Sequence, residues 1–313
     1  MSVKIGLGLA NFPFEDRRGF WRWIERCEDG DIDSIWQTDR LVGSQPFLES
    51  MTTMAALAGG TERLKFGMNV VVVPFRDPLV LAKECATIDF LSGGRLLPAF
   101  GVGGALAPEF RATSRPMARR GALADEALSL MVRLWAGESV SYEGAHYRYA
   151  EARIAPLPVQ RPLPLWIGGD SKAAIRRTAT IGTGWLGGLH NPSQVARVVR
   201  GIQEAAVEAG RTIDADHYGA AFAYRFGSRD DAVVERVAAG FRRRLPDVDP
   251  ADYFVVGDAA TIQARVAEYV AAGASKFVLR PIAEGEDEIM AQTQRLIEEV
   301  VPVVHGRVAA PAP

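Results

Sequence analysis

The sequence predicts an α/β fold, a (β/α)8 TIM barrel with insertions after the fourth strand and before the fifth. Eight predicted strands alternate with helices over about 300 residues, which matches the size of such a barrel. The strand at 66–73 is rich in β-branched residues and lacks polar alternation, as expected for a parallel strand that is buried on both faces. Composition does not change between the two halves of the chain, which disfavours the alternative of a doubly wound open sheet.

One strand–helix–strand unit, residues 65–104, shows the pattern most clearly. Its first strand, 66–73, ends at a proline, and a helix follows. Asp77 and Pro78 begin that helix, because an aspartate oxygen can cap it and proline presets the first helical φ. Two glycines end the helix before the next strand, 95–101.

The other elements are assigned in chain order from apolar runs bounded by turn residues. The remaining strands are 3–9, 32–38, 165–168, 183–187, 217–226 and 276–281. The remaining helices are 17–29, 48–58, 117–136, 171–181, 192–209, 229–244, 259–272 and 286–301. A β-hairpin is predicted at 139–149, and the insertions at 105–116 and 136–161. We expect one domain over residues 1–303 and a disordered tail over 304–313.

Composition and charge disfavour several classes of protein. The 313 residues include 36 Lys and Arg against 38 Asp and Glu, so no net charge attracts nucleic acid or a membrane surface. No apolar run reaches the ~18 residues of a spanning helix, and the N-terminus is too lightly charged for a secretory signal. Cys27 and Cys85 lie on apolar helix faces, which favours reduced thiols in the cytoplasm over a disulfide. Four scattered histidines show no ligand spacing, so we expect no protein-bound metal.

Polar residues at predicted strand ends are the candidates for a site, because reactive groups of such barrels lie at the carboxyl ends of the strands. Asp39 and Arg40 end strand two, either as site residues, which we favour, or as a salt bridge to a neighbouring loop. Asn69 lies in an apolar strand and needs a partner, which is a ligand or a neighbouring strand. Arg280 ends strand eight and could hold a substrate anion or an interface carboxylate.

Two glycine-rich loops are further candidates. Residues 168–171, Gly-Gly-Asp-Ser, precede a helix and suit a phosphate, although Asp170 or Ser171 could merely cap that helix. The Asp170 carboxylate would repel a phosphate unless it pointed away. Residues 101–104, Gly-Val-Gly-Gly, lack the third glycine of a dinucleotide motif, because Leu106 stands there and no helix begins. Flexible glycines still allow a flat ring to approach the backbone.

Several motifs together point to one family. They are DSIWQTDRLVG at 33–43, PFRDPLVLAKECATIDFLSGGRL at 74–96, FGVGG at 100–104, YEGAHYRY at 142–149, PVQRP at 158–162, WIGGDS at 166–171 and GTGW at 182–185. In these the chain resembles the bacterial luciferase-like monooxygenase superfamily, and more narrowly its coenzyme F420-dependent oxidoreductase branch. The resemblance covers residues 3–301.

The resemblance implies a barrel with a flavin-type ring over the strand ends, and a homodimer. Asp39 would hydrogen-bond the deazaflavin, and Asn69 and Val70 would form a bulge, often with a cis peptide bond, behind the ring. The 168–171 loop would hold the cofactor phosphate with help from Arg119 or Arg120. The full set of cofactor-binding residues is then Asp39, Asn69, Val70, Gly103, Gly104, Arg119, Arg120, Gly168, Gly169, Asp170, Ser171 and Trp185.

Two departures from the family pattern concern proton transfer. Sugar-phosphate dehydrogenases of the family carry Asp-His where this chain has Asp39 and Arg40, and a glutamate acid where it has only Gly104 and an alanine. An arginine cannot act as a base, because its pKa is above ~12. The catalytic candidates are Asp39, Arg40 and His190, of which His190 could serve as the proton donor. Glu109 is expected in a mobile insertion and has no paired nucleophile, which disfavours a hydrolase.

The leading hypothesis is an oxidoreductase that transfers a hydride between coenzyme F420 and a small organic substrate held partly by Arg280. One alternative is an FMN-dependent monooxygenase that uses reduced flavin and O₂. The other is a flavin-binding protein without turnover, which the missing acid near Gly104 suggests. The substrate does not follow from the sequence, because loops form the walls of barrel pockets.

Overall fold

Strands and helices alternate along the chain in the computed structural model, which describes residues 2–9, 12–104 and 107–305. The strands are β1 (Lys4–Gly8), β2 (Ser34–Gln37), β3 (Lys65–Met68), β4 (Val71–Val72), β5 (Leu96–Leu97), β6 (Ala99–Gly101), β7 (Val140–Glu143), β8 (Arg148–Ala152), β9 (Trp166–Gly168), β10 (Gly184–Leu189), β11 (Tyr218–Phe226), β12 (Phe254–Gly257) and β13 (Lys276–Pro281). The helices are α1 (Arg17–Asp29), α2 (Ser50–Gly60), α3 (Pro78–Leu91), α4 (Glu109–Ala112), α5 (Arg120–Trp135), α6 (Lys172–Ile181), α7 (Pro192–Glu208), α8 (Ala232–Arg244), α9 (Ala259–Ala271), α10 (Gly285–Arg295) and α11 (Val301–Val304).

The parallel sheet closes into the predicted barrel. Its hydrogen-bonded order is β4-β6-β9-β10-β11-β13-β1-β2-β3-β5. β4 continues β3 along the chain, so together they form strand three of the barrel. In the same way β5 and β6 form strand four. The path therefore begins and ends with pieces of strands three and four. β3 pairs with β5 and β4 pairs with β6, which joins the ends. The predicted strands three and four are therefore present, each in two pieces.

One strand was not predicted. β12 pairs with the second half of β11, from Ala223 opposite Phe254 to Phe226 opposite Gly257. β12 lies on the edge of β11 that faces β10. β10 pairs with the first residues of β11, where Trp185 lies opposite Tyr218. Side chains of β12 pack in a separate small cluster with Val233, Val234, Ala238 and Ile282. The predicted hairpin is formed by β7 and β8 as an antiparallel pair.

Large side chains fill the inside of the barrel. Trp36 and Trp166 pack there with a set of smaller residues: Ala99, Leu186, Ala221, Val278, Val70 and Leu97. Glycine makes room for Trp36, because a Cβ on Gly67 would lie 2.7 Å from its ring. The indole Nε1–H of Trp36 donates to Ser34 Oγ, so the one polar atom of this side chain is satisfied.

The cap predicted for α3 is present, and polar side chains cap other helices as well. Asp77 accepts hydrogen bonds from the N–H groups of Leu79 and Val80, and Pro78 is the first residue of α3. Asn191 and Gln194 form a reciprocal capping box at the start of α7. Within the described residues, no helix has the length and apolar character needed to cross a membrane.

The end of the barrel where the strands begin is closed by charged residues and by the end of the last helix. Lys276 and Asp33 form a buried ion pair there. The ring Nε2 of His305 accepts the N–H of Ile5 at 2.8 Å, and Val304 is buried at the end of α11. The first two residues of the predicted tail therefore belong to the fold, and residues 306–313 lie outside the described part of the chain.

The contact of His305 predicts a dependence of stability on pH. Burial lowers the pKa of His305 in the folded protein, so the unfolded chain takes up a proton first as the pH falls. The free energy of unfolding should therefore decrease as the pH drops through the ordinary histidine pKa, and the loss should end below the folded-state pKa. Replacing His305 with phenylalanine should flatten this dependence between about pH 7.5 and pH 5, as measured by denaturant unfolding. The same slope in His305→Phe and wild type would contradict this, with His146→Phe as the control.

Candidate functional site

The candidate site lies at one end of the barrel, where the carboxyl ends of the parallel strands meet. The structure brings most of the predicted site residues to this end: Asp39 and Arg40 after β2, Asn69 and Val70 before β4, Gly103 and Gly104 after β6, the 168–171 loop after β9, and His190 after β10. Arg280 lies near the end of β13, in register with Ala223 of β11. Arg119 and Arg120 lie at the start of α5.

The side chain of Val70 is wedged between two glycines at the centre of this end. The peptide bond between Asn69 and Val70 is cis, as the resemblance implied. A Cβ on Gly101 would lie 2.6 Å from a methyl of Val70, and a Cβ on Gly168 would lie 2.9 Å from the other methyl. Strands four and five must therefore end in glycine here, and Val70 forms an apolar floor between them.

A buried clamp of Asp39 and Arg76 holds the strand that carries Val70. The Asp39 carboxylate accepts hydrogen bonds from Arg76 Nη1 at 2.7 Å and Nη2 at 2.8 Å, from Ser50 Oγ at 2.9 Å and from the N–H of Val72 at 2.9 Å. Four donors fill the acceptor positions of a carboxylate. Asp39 thus joins the end of β2, the start of α2 and strand three, and its predicted contact with a cofactor stays a prediction.

Arg76 is a residue that the sequence reasoning did not select. Its side chain is 13% exposed and also contacts Glu49 at 2.6 Å. Burial lowers the pKa of Arg76, but hydrogen bonds and charge attraction from Asp39 and Glu49 outweigh it and raise the pKa overall. The guanidinium is therefore permanently charged. The sequence signal that could have identified Arg76 is its position as a charged residue directly before the cap of α3.

Arg40 faces a buried carboxylate, Glu109. Arg40 Nη1 lies 3.7 Å from Glu109 Oε1, and the side chains are 38% and 3% exposed. Among the described residues, no hydrogen-bond donor reaches Glu109 Oε1. We expected Glu109 in a mobile insertion, but it is the first residue of α4, and the neighbouring Phe110 packs edge-on against Phe75 at 4.7 Å. The loop after strand four thus supplies a carboxyl group after all.

The 168–171 loop is held from the neighbouring strand. Gly169 has φ of +99°, which favours glycine, and its carbonyl accepts the indole N–H of Trp185 at 2.7 Å. Ser171 caps α6 by accepting the N–H of Ala174, so the capping alternative is confirmed for this residue. Asp170 Oδ2 lies 3.3 Å from His190 Nε2.

His190 is nearly buried between Asp170 and Trp185. Its side chain is 12% exposed, and its ring meets the ring of Trp185 edge-on with 5.7 Å between centroids. Burial lowers the pKa of His190, although the nearby Asp170 carboxylate opposes this shift. No hydrogen-bond partner for His190 Nδ1 occurs in the described part of the chain.

The start of α5 is held by the strand-four loop and by α6. Arg120 Nε donates to the Gly103 carbonyl at 3.3 Å. Arg177 of α6 is buried, donates to Asp125 of α5 at 2.6 Å and reaches the Gly121 carbonyl at 3.3 Å. Arg119 precedes α5 with φ of +63° and is exposed. Arg120 thus contacts the strand-four loop, and α6, which follows the 168–171 loop, contacts the first turns of α5 through Arg177.

Some reactive groups lie away from this end. Cys27 and Cys85 are buried free thiols, as predicted. Asp214, Asp216 and His217 could jointly approach a metal ion, but they precede β11 at the opposite end of the barrel. The expectation that the protein binds no metal stays a prediction.

Comparison with known proteins assigns the family. Residues 7–291 match the family described as luciferase-like monooxygenase. The chain belongs to this family. The resemblance that the motifs indicate is thereby confirmed.

Two curated relatives illustrate the range of similarity. The F420-dependent glucose-6-phosphate dehydrogenase of Amycolatopsis mediterranei is 25% identical over 340 residues, covering 96% of this chain and 98% of that protein. An uncharacterized protein of Mycobacterium tuberculosis is 32% identical over 169 residues, which are 54% of this chain and 57% of that protein. The second match therefore spans little more than half of the relative's length.

Solved structures confirm the barrel. An F420-dependent secondary alcohol dehydrogenase in complex with an F420–acetone adduct superposes with a TM-score of 0.84 at 18% identity, covering 97% of this chain and 100% of the other. The oxygenating constituent of 3,6-diketocamphane monooxygenase from Pseudomonas putida, in complex with FMN, gives 0.80 at 17% identity, covering 97% and 99%. At these identities the likeness concerns the fold alone.

The clamp leads to a prediction about stability. Replacing Arg76 with methionine should lower the free energy of unfolding by about 3–5 kcal/mol, because the Asp39 carboxylate then stays buried without its cation. The double variant Asp39→Asn/Arg76→Met should recover part of this loss in denaturant unfolding. Arg133→Met, which breaks an exposed pair with Glu138, is the control and should cost less than about 1 kcal/mol. A loss as small as that of the control would contradict the role of the clamp.

Proposed function

We propose that the protein is a coenzyme F420-dependent oxidoreductase that transfers a hydride between C5 of the deazaflavin and a small organic substrate. The observation that carries the proposal is the apolar floor formed by Val70 between Gly101 and Gly168, which continues directly into the 168–171 loop. A flat ring can lie on such a floor while its ribityl phosphate reaches the loop. The F420-dependent relative that matches almost the whole chain supports this cofactor over FMN.

The residues present fit a phosphorylated ring cofactor. Among the described residues, no atom lies within 4 Å of the position that a Cβ on Gly104 would take. Gly169 has a backbone conformation that turns the loop toward α6, and the first N–H groups of that helix suit a phosphate. Arg119 or Arg120 would add charge from the start of α5.

The cofactor supplies the hydride chemistry when it is bound, and the protein supplies orientation and proton handling. Arg40 can hold an anionic or carbonyl oxygen of the substrate, because its guanidinium is partly exposed at the site. Glu109 can hold or move a proton at Oε1, which is buried and close to that guanidinium. Arg280 is proposed to contact the substrate from the end of β13.

Partners and location are proposed on narrower grounds. We propose a homodimer on the family resemblance, a cytoplasmic location because Cys27 and Cys85 are free thiols, and small molecules as the other partners. The measured mass in solution tests the first of these, and a monomer would refute it.

The proposal predicts a ranking of cofactors. Purified protein should bind F420 more tightly than FMN, and nicotinamide cofactors should not bind, when each is titrated and followed by quenching of tryptophan fluorescence. Trp185, whose indole N–H donates to the Gly169 carbonyl, should report binding. Micromolar FMN binding without F420 binding would refute the proposal, and oxygen consumption with reduced flavin and substrate would then support an FMN-dependent monooxygenase. Binding of either cofactor without substrate-dependent redox change in a broad screen would support a flavin-binding protein without turnover.

The role of Glu109 is tested separately. Glu109→Gln should lower kcat by about 10²- to 10⁴-fold, because the amide occupies the same space but cannot transfer a proton. The dissociation constant for F420 should stay nearly unchanged, since Glu109 lies on the side of Arg40 and not of the 168–171 loop. The assay is oxidation of reduced F420 with any substrate found by screening, and Glu138→Gln on the surface is the control. A kcat equal to that of the control would remove Glu109 from the reaction.

A further inference from the structure

The 168–171 loop poses an electrostatic problem for the phosphate that the proposed function assigns to it. Two groups in the loop are negative: the Asp170 carboxylate carries a full charge, and the Gly169 carbonyl oxygen carries a partial charge. Either would repel a phosphate if it faced the same space as the helix N–H groups. A phosphate site at this loop therefore requires that both groups be turned away.

Strand β10 and the residue after it contact both of these groups. The indole N–H of Trp185 donates to the Gly169 carbonyl at 2.7 Å, and Trp185 is fully buried, so the direction of that carbonyl is fixed. His190 Nε2 lies 3.3 Å from Asp170 Oδ2. One side of the loop is thus engaged by its neighbouring strand. Ser171 takes the N–H of Ala174, so a ligand would be held by the N–H groups that precede Ala174.

His190 is itself held in place. Its carbonyl accepts the hydroxyl of Tyr269 at 2.7 Å, and its ring packs edge-on against Trp185. The charged groups that act on its ring are Asp170 from the loop and Arg197 from α7. A histidine fixed in this way can hold the Asp170 carboxylate in one direction.

We propose that His190 and Trp185 are positioning residues that turn the Asp170 carboxylate and the Gly169 carbonyl away from bound phosphate. This inference rests on the proposed function, because it assumes a cofactor with a phosphate at the 168–171 loop. It gives His190 a role distinct from the catalytic proton donor predicted above, which stays a prediction. His190 acts on the affinity for the phosphate, and Glu109 remains the group that handles protons.

The test compares each cofactor with its form that lacks the phosphate. The probes are FMN against riboflavin, and F420 against the deazaflavin riboside that ends in the ribityl hydroxyl. In the wild type, the phosphorylated member of at least one pair should bind more tightly. His190→Phe should weaken binding of that member by about tenfold, because the Asp170 carboxylate is released, and should leave the dephosphorylated member unchanged.

Two further variants separate positioning from folding. In His190→Phe/Asp170→Asn the charge is gone, so affinity for the phosphorylated ligand should return to nearly the wild-type value. His190→Gln should keep that affinity, because its amide can still donate to Asp170. Trp185→Phe keeps an aromatic ring but loses the N–H, and it should also weaken only the phosphorylated ligand. His146→Phe on the hairpin is the control.

The outcomes distinguish this inference from the proposed function. Equal weakening of both members of a pair by His190→Phe, or no rescue by Asp170→Asn, would overturn the inference while F420 binding still supports the function. A wild type that binds both members equally would overturn the inference and remove phosphate from the loop. A wild type that binds none of the four ligands would overturn the inference and the proposed function together.

Discussion

The buried contact between Asp39 and Arg76 is the constraint on which the rest of the site depends. It fixes Val72 through its backbone N–H, on the far side of the interruption in strand three. Val70 lies just before that point, and its side chain fits between two glycines only when the strand is held in this position. Buried ion pairs contribute little net stability compared with apolar residues of the same size, but they demand one geometry. Here that single geometry fixes the position of the apolar surface formed by Val70.

The barrel could be predicted because its signals are local. Apolar strands, an aspartate cap followed by proline, and glycines at helix ends each depend on a few neighbouring residues. The interruption of strands three and four could not be read in the same way, since a break in pairing leaves an apolar run unchanged. β12 was missed because four residues between helices give too short a pattern, and its strand conformation depends on pairing with the end of β11.

The site could be predicted only in part. Asp39, Arg40 and the glycine loops were identified from their positions at the carboxyl ends of predicted strands, because the topology of any such barrel brings those positions together. The partners of these residues come from segments distant in sequence. Arg76 reaches Asp39 across a turn, Glu109 reaches Arg40 from the loop after strand four, and His190 approaches Asp170 from the end of β10. A single sequence carries no pattern that links such pairs.

The floor under the candidate site belongs to three consecutive strands at once. Val70, Gly101 and Gly168 come from strands three, four and five, and none of them forms a surface without the other two. A ligand that rests on this floor therefore binds only those protein molecules in which strands three, four and five are all folded and packed together. By thermodynamic linkage, such a ligand raises the midpoint of global unfolding and also suppresses local opening of these strands. Slower amide hydrogen exchange along strands three to five would then be a signature of an occupied site.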